Sequence, residues 1–233
     1  MDFERFEEEF SNLKAVFKQK GFAQKPNASG QNVFSKFLDY HLQVLIITSR
    51  LEQGIVDHDS FSKYIFECLK NKIEPSDAEM ENSILTFGKI MLDLSDFYIY
   101  TRSFLDTLTM CIKLSFKRAG NRKWKSMKNS MKGLLNARKM EVCKKEIDFS
   151  FFEGLEERIS WILDFKKSRD GLLHKYYHFV FTKTRKGEYG YDIMNGTKTS
   201  WGTDTVRGIL TEVQSVIDNL SDLMEYLSGN LPT

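Results

Sequence analysis

Residues 76–116, SDAEMENSILTFGKIMLDLSDFYIYTRSFLDTLTMCIKLSF, decide how this chain folds. Their apolar residues recur at alternating steps of three and four, the spacing of one helical face. The stretch contains no proline and a single glycine, Gly88. We therefore predict one helix of about 40 residues that begins after Pro75 and forms the central rod of the fold. The residues on its apolar face are Phe87, Ile90, Leu94, Phe97, Tyr98, Phe104, Leu105, Leu108, Cys111, Ile112 and Phe116.

The start of this helix carries a capping signal. Ser76 or Asp77 is suited to the N-cap position, where a side-chain oxygen accepts a hydrogen bond from a free backbone N–H. Carboxylates follow at Glu79 and Glu81, in the first turns, where the helix dipole favours negative charge. These residues predict a well-defined beginning just after Pro75.

Three helices are predicted before Pro75. Apolar residues repeat helically in residues 2–20, in residues 32–53 and, over a shorter length, in residues 57–71. Residues 21–30 contain two glycines and a proline and are predicted to form a loop.

Three further helices are predicted after residue 116. Two of them cover residues 124–138 and residues 151–168. The last begins at Thr203 or Asp204, and we expect Gly229 to cap it and Pro232 to prevent its continuation.

The segment before the last helix has a different period. Tyr177, Phe179 and Phe181 alternate with His178, Val180 and Thr182, a period of two that is typical of a strand. Gly187 and the pair Asn195-Gly196 are turn signals. We predict a two-stranded hairpin in this region, with a short third strand through residues 198–201.

Together these elements predict a mainly α fold, a helical bundle around one long central helix with a small β-hairpin insertion before the C-terminal helix. We expect a single domain over residues 1–233. Within it, residues 1–75 form N-terminal helices, residues 76–175 and 203–228 form the helical core, and residues 176–201 form the hairpin insertion.

Composition and charge predict a soluble globular protein. Apolar residues make up 41% of the chain and charged residues 28%, and the net charge of +2 does not by itself imply a nucleic-acid partner. The first nine residues, MDFERFEEE, are acidic, unlike a signal or transit peptide. No apolar run approaches the roughly 20 residues of a membrane span. We expect neither secretion nor a membrane partner.

The three cysteines suggest a compartment. Cys68, Cys111 and Cys143 are odd in number, far apart and without the spacing of metal ligands. Reduced thiols in a cytoplasmic protein are the simplest interpretation.

The densest chemistry lies in RDGLLH, residues 169–174. It combines the permanent cation of Arg169, the carboxylate of Asp170 and His174, whose side chain titrates near neutral pH. On a regular helix, residues five apart point about 140° from each other. Arg169 and His174 therefore converge only if Gly171 breaks the helix between them, or if two chains pair across a symmetric dimer.

A purely structural explanation of the same residues stays open. In it, Lys166, Lys167 and Arg169 complement the dipole at a helix C-terminus, and His174 merely packs.

This segment resembles the signature of the HEPN superfamily, small all-helical proteins marked by Arg, then a polar residue, then His four to six residues after the Arg. Arg169, Asp170 and His174 match these positions. Residues 96–106, DFYIYTRSFLD, are similar to the long helix on which the motif packs in such proteins. The general likeness covers residues 76–228, so the predicted fold is a HEPN-like bundle.

The resemblance implies a metal-independent endoribonuclease that acts as a homodimer, often a toxin of a toxin–antitoxin, phage-defence or abortive-infection system. His174 would be the acid or base for the ribose 2′-hydroxyl or the leaving 5′-oxygen. Arg169 would hold the scissile phosphate, and Asp170 would orient either partner. An antitoxin or another protein partner is implied as well. Some HEPN relatives are inactive, so the alternative is a non-catalytic RNA- or protein-binding module.

A basic stretch is the RNA-binding candidate. Residues 113–145 contain twelve lysines and arginines but one acid, Glu141. Their cations would neutralise phosphates, and Trp124 would stack on a base. The alternative is a solvated basic face anchored to the core by Trp124. The candidate residues are Lys117, Arg118, Arg122, Lys123, Trp124, Lys125, Lys128 and Lys132.

Other features predict no further chemistry. His174 and His178 are four apart, but no nearby cysteine or glutamate completes a zinc site, so no metal is expected. Arg102 and Asp106 are helical neighbours and are predicted to form a structural ion pair. No phosphate-binding glycine loop or Ser/Cys nucleophile motif occurs, and we predict no cofactor.

Overall fold

A computed structural model describes the protein over residues 3–22, 33–118, 146–174, 178–183, 189–195, 198–199 and 205–231. Within these ranges, only the backbone is described for residues 62, 66, 69, 117–118, 146–149, 152 and 171–207.

The described chain is mainly helical, which confirms the predicted fold class at that level. In chain order its helices are α1 Phe3–Gln19, α2 Val33–Lys70, α3 Asp77–Arg118, α4 Glu146–Ile159, α5 Ile162–His174 and α6 Thr205–Asn230. The predicted helix at residues 124–138 lies outside the described residues.

Between α5 and α6 the chain has three short strands. They are β1 His178–Lys183, β2 Tyr189–Asn195 and β3 Lys198–Thr199. Both pairings are antiparallel, in the order β1-β2-β3.

The long helix α3 is confirmed, with 42 residues. Ser76 is its N-cap, since the Glu79 backbone N–H donates to Ser76 Oγ at 3.4 Å. In return the Ser76 backbone N–H and hydroxyl donate to Glu79 Oε2 at 3.2 Å and 2.6 Å. This reciprocal capping box fixes where the helix begins.

The prediction of two helices within residues 32–71 is wrong, because α2 runs unbroken from Val33 to Lys70. Gly54 does not interrupt it. A Cβ at Gly54 would lie 3.2 Å from Ile90 Cγ1, so the glycine allows a close approach to α3 within a continuous helix. Gln53 Nε2 donates to Asp57 Oδ1 at 2.8 Å, one turn further along the same helix.

The prediction of one helix over residues 151–168 is also wrong. α4 ends at Ile159, and α5 begins at Ile162. Two side chains satisfy the last carbonyls of α4: Ser160 Oγ donates to the Glu157 carbonyl at 3.1 Å, and Trp161 Nε1 donates to the Arg158 carbonyl at 2.8 Å. These bonds stabilise a turn that apolar spacing does not reveal.

The end of α6 differs slightly from expectation. Gly229 lies inside the helix, which continues to Asn230. Instead of a glycine cap, Asn230 Nδ2 donates to the Tyr226 carbonyl at 2.9 Å, and the Leu231 backbone N–H donates to the Leu227 carbonyl at 3.1 Å.

Two helices end in Schellman motifs. After α1, Gly21 has a φ of 73°, and the Phe22 N–H donates to the Phe17 carbonyl at 3.1 Å. After α2, the Ile73 N–H donates to the Cys68 carbonyl at 2.8 Å, but the left-handed residue is Lys72, with a φ of 55°. A lysine there has a Cβ that this conformation disfavours.

The chain divides into two compact units. The first unit comprises Leu45–Tyr98 and Lys167–Gln214, and the second comprises Asp2–Val44, Ile99–Lys166 and Ser215–Thr233. Each unit is built from segments that are distant in sequence.

In the first unit, α2 packs against α3. Arg50 forms an ion pair with the buried Asp93, and the ring of His58 lies 5.6 Å from that of Phe87. Burial raises the pKa of Asp93, and the Arg50 cation opposes this shift. The hydroxyl of the fully buried Tyr98 donates a hydrogen bond to Glu212.

In the second unit, an aromatic cluster joins α1, α2 and α3. The imidazole of His41 stacks on Phe10 with ring centroids 3.4 Å apart and planes 7° apart. Phe6 stacks on the same imidazole at 5.1 Å, and Phe37 stacks on Phe104 at 5.2 Å. Burial lowers the pKa of His41 to about 3.

None of the described helices combines the length and the apolarity needed to cross a bilayer.

Candidate functional site

Arg169 and Asp170 lie in the last two turns of α5 and are bonded to each other. Arg169 Nε donates to Asp170 Oδ1 at 3.0 Å, and Nη2 donates to the same oxygen. The Arg169 side chain is 7% exposed, whereas that of Asp170 is 39% exposed. The carboxylate thus holds the guanidinium from the solvent side.

One nitrogen of Arg169 is not satisfied by this pair. Nη1 is buried and has no hydrogen-bond partner in the described residues. Buried polar atoms nearly always have a partner, and leaving one unbonded costs about 1–3 kcal/mol. The guanidinium therefore has hydrogen-bonding capacity at Nη1 that no described residue uses.

His174 is the last residue of α5, and its side chain lies outside the described part of the structure. Of the two ways in which Arg169 and His174 could converge, a helix break at Gly171 does not occur, because α5 is continuous from Ile162 to His174. One glycine costs a helix only about 1 kcal/mol, which the packing of its neighbours can offset. Positions 169 and 174 are thus about 140° apart around the backbone of α5, and a single α5 does not bring them together.

The structural explanation of the motif is not supported at the helix terminus. Lys166 and Lys167 are exposed in the middle of α5, which continues to His174, so they are too far from its C-terminus to complement the dipole there. Arg169 is buried, so it does not belong to a solvated basic surface. Its position calls for a different role.

Little of the basic stretch is described. Lys117 and Arg118 end α3 as backbone only. The other RNA-binding candidates, Arg122, Lys123, Trp124, Lys125, Lys128 and Lys132, lie outside the described residues.

Two other sequence-based expectations concern ions. The predicted pair of Arg102 and Asp106 is confirmed, with Nε 3.6 Å from Oδ2 on the surface of α3. Within the described residues, no three His, Cys, Asp or Glu side chains lie close enough together to hold a metal ion.

The second unit contains a polar cavity of about 570 Å³ between α4 and the end of α6, which the sequence did not predict. Arg158 lies over the Tyr226 ring, 4.5 Å from its centroid, and Tyr226 donates to the Phe151 carbonyl at 2.7 Å. Arg5 donates to Asp222 at 2.5 Å and to Glu225 at 3.1 Å. No local motif signals these contacts, because they join segments far apart in sequence. The cavity is lined by Glu157, Arg158, Asn219, Asp222, Glu225, Tyr226 and Asn230.

Hydrogen bonds affect the pKa values around this cavity. The hydrogen bond to Asp222 raises the pKa of Arg5, with a smaller contribution from Glu225. Burial raises the pKa of Tyr226, and the Arg158 cation opposes it. The Tyr226 phenol therefore stays neutral and the Arg5 guanidinium stays charged near neutral pH, and the arrangement is suited to packing rather than proton transfer.

No protein-family model matches the chain, and comparisons with curated proteins and with solved structures give no match either. The likeness to HEPN proteins therefore depends on the residues that suggest it, namely Arg169, Asp170 and His174 together with residues 96–106.

Proposed function

We propose that this protein is a HEPN-like, metal-independent endoribonuclease with Arg169, Asp170 and His174 as its catalytic motif. The observation that carries the proposal is the buried guanidinium of Arg169, which Asp170 holds while Nη1 keeps no partner in the described residues. An anionic ligand would satisfy this donor edge. A fixed, planar cation suits a phosphate that gains charge during a reaction.

In the proposed reaction, the 2′-oxygen of a ribose attacks the adjacent phosphate. A bond forms between the 2′-oxygen and phosphorus, and the bond between phosphorus and the 5′-oxygen breaks. A neutral His174 accepts the 2′-hydroxyl proton, and a protonated His174 of the partner subunit donates a proton to the leaving 5′-oxygen. Arg169 stabilises the charge on the non-bridging oxygens. The products are a 2′,3′-cyclic phosphate and a 5′-hydroxyl.

The continuous α5 supports a site shared between two chains. Arg169 and His174 diverge on one helix, so a homodimer is the arrangement that lets both act on one phosphate. We place this homodimer in the cytoplasm as a toxin or phage-defence effector, held in check by an antitoxin or another protein partner.

The basic stretch of residues 113–145 completes the proposal as the surface that binds RNA. Its twelve cations and single acid favour contact with phosphates over contact with a neutral ligand. Such binding weakens steeply as salt rises, because each neutralised phosphate releases counterions.

The second candidate is a non-catalytic HEPN-like module that binds RNA or a protein. It is favoured by the 7% exposure of Arg169, which leaves little of the guanidinium open to a substrate. In that case the double charge reversal Lys123→Glu and Lys125→Glu abolishes binding, while His174→Ala leaves function intact.

The two candidates are separated by incubating purified protein with mixed cellular RNA in EDTA. We expect cleavage by the wild type and at least about a hundredfold slower cleavage by His174→Ala, the usual scale for a lost general acid or base. His178→Ala is the matched control, because it removes a histidine only four residues away. This variant should cleave RNA at the wild-type rate. Equal rates for wild type and His174→Ala, or no cleavage of any RNA class, would overturn the nuclease proposal.

A further inference from the structure

The outer face of α3 in the first unit exposes large apolar side chains. Leu85 is 54% exposed and Leu92 is 68% exposed, and the two lie seven residues apart. Residues at this spacing lie on nearly the same line along a helix, about 10 Å apart. Leucines exposed in a row along one helix are typical of a surface that packs against another helix.

The residues on either side of Leu92 differ in a regular way. Lys89 and Asp96 lie on one side, about 60° and 40° around the helix, and Gly88 and Ser95 lie on the other. The Ser95 hydroxyl donates to the Met91 carbonyl at 2.9 Å, so it does not need a partner from outside. The side with Lys89 and Asp96 therefore carries one positive and one negative charge. The side with Gly88 and Ser95 has small side chains, and its hydroxyl already has a hydrogen-bond partner within the helix.

This pattern is complementary to itself when two copies of α3 run antiparallel. Take a two-fold axis that passes beside Leu92 and perpendicular to the helix. Lys89 lies about 4.5 Å from this level in one direction, and Asp96 lies about 6 Å from it in the other. The two-fold axis therefore places Lys89 of one copy beside Asp96 of the other, at nearly the same level along the helices. By symmetry the interface contains two such pairs of opposite charge.

The small side supports the same arrangement. Gly88 and Ser95 have little side-chain volume, so two helix backbones can approach closely there while Leu92 packs against its own copy. In a parallel two-fold pair, the charged side of each helix would lie next to the small side of the other, so neither charge would meet an opposite charge. The charges therefore favour the antiparallel arrangement over the parallel one.

From this self-complementarity we infer that the outer face of α3, centred on Leu92 and flanked by Lys89 and Asp96, is a two-fold interface for a second copy of this chain. The inference concerns assembly and is independent of the chemistry at residues 169–174. Two helices cover less area than a standard interface, so we expect a dissociation constant in about the micromolar range.

The apolar centre is tested by sedimentation equilibrium of the full chain over a range of concentrations. Leu92→Glu should raise the dissociation constant at least about tenfold, because it buries two carboxylates at the axis. Val56→Glu is the matched control, since Val56 is 55% exposed on α2, and it should dimerise like the wild type. Circular dichroism checks that both variants stay folded. A monomeric wild type, or equal effects of the two variants, would overturn the inference.

The charges allow a stricter test. Lys89→Asp and Asp96→Lys should each dimerise at least about tenfold more weakly alone, because each places like charges opposite each other twice. Mixed together, the two variants should form a heterodimer in which both pairs are complementary again. Single variants as dimeric as the wild type, or a mixture no more associated than its components, would rule out the antiparallel interface. The readout is mass in solution, so a loss of RNA cleavage does not affect it.

Discussion

Arg169 is buried against the carboxylate of the residue that follows it, with Nε 3.0 Å from Asp170 Oδ1. Adjacent residues on a helix point about 100° apart, so the pair forms only because the long arginine side chain folds back toward Asp170. The contact holds the cation in place and leaves Nη1 without a partner in the described residues. Asp170 therefore contributes to the stability of the fold as well as to the proposed site.

Replacement of Asp170 by Asn should destabilise the protein by about 1–2 kcal/mol. The substitution leaves a buried guanidinium with a weaker acceptor, but the 39% exposure of Asp170 allows water to offset part of the loss. Urea unfolding followed by circular dichroism measures the change. Glu157→Gln is the control: its 3.8 Å pair with Arg158 is on the surface, so less than about 0.5 kcal/mol should be lost. Equal losses of unfolding free energy in the two variants would show that the pair of Arg169 and Asp170 stabilises the protein no more than a surface ion pair does.

Replacement of Gly154 by Ala should destabilise the second unit by about 1–3 kcal/mol. A Cβ at Gly154 would lie 2.6 Å from the Tyr226 hydroxyl and 2.7 Å from its ring, so the phenol must move and weaken its bond to the Phe151 carbonyl. Gly208→Ala is the control, because nothing lies within 4 Å of the added atom. That variant should be up to about 1 kcal/mol more stable, by helix propensity. A stabilised Gly154→Ala protein would contradict the close packing of α4 against Tyr226.

Replacement of Lys72 by Gly should stabilise the protein by up to about 1 kcal/mol. Lys72 is in the left-handed conformation, with a φ of 55°, where a side chain costs about that much. The gain should appear as a higher midpoint in urea at an unchanged slope. Lys63→Gly, at an exposed position inside α2, should have the opposite sign. A loss of stability on Lys72→Gly would mean that the lysine is not strained there.

The stability of the protein should depend on pH through His41. Burial lowers the pKa of His41 from 6.5 to about 3, so the folded state keeps the neutral imidazole while the unfolded state takes up a proton. The stability that the neutral His41 contributes is therefore fully present above about pH 6.5. As pH falls from there toward 3, the free energy of unfolding drops by up to about 1.4 kcal/mol per pH unit.

His41→Phe should remove this part of the acid sensitivity. Between about pH 6.5 and pH 5, the free energy of unfolding should fall by roughly 1–2 kcal/mol less in the variant than in the wild type. His58 remains, and burial lowers its pKa too, so the remaining slope should not be zero. The measurement is urea unfolding at several pH values. Parallel pH profiles for the two proteins would show that His41 is not the group responsible.

Local signals predicted some of these features and not others. The beginning of α3 was predictable, because the box of Ser76 and Glu79 lies within four residues and precedes an uninterrupted apolar face. The continuity of α2 was not, since Gly54 is accommodated by Ile90, which is distant in sequence. Local patterns also gave no sign that Trp161 would donate to a main-chain carbonyl and end α4.

At the candidate site too, some features could be predicted from the local sequence and others could not. The residue types at positions 169–174 were evident from the sequence, and the angle between Arg169 and His174 on a helix followed from geometry alone. The burial of Arg169 depends on how α5 packs, which no short motif records. Gly171 shows why: a glycine permits a break but does not require one, and here the helix continues through it.

The chemical ends of the RNA fragments test the central claim most directly. The wild-type protein should release fragments in EDTA that end in a 2′,3′-cyclic phosphate and begin with a 5′-hydroxyl, because the 2′-oxygen is the nucleophile. His174→Ala should not release them, and an RNA with a 2′-deoxy residue at the cleavage site should stay intact. Fragments with 3′-hydroxyl and 5′-phosphate ends, or cleavage of the deoxy-substituted strand, would contradict the account.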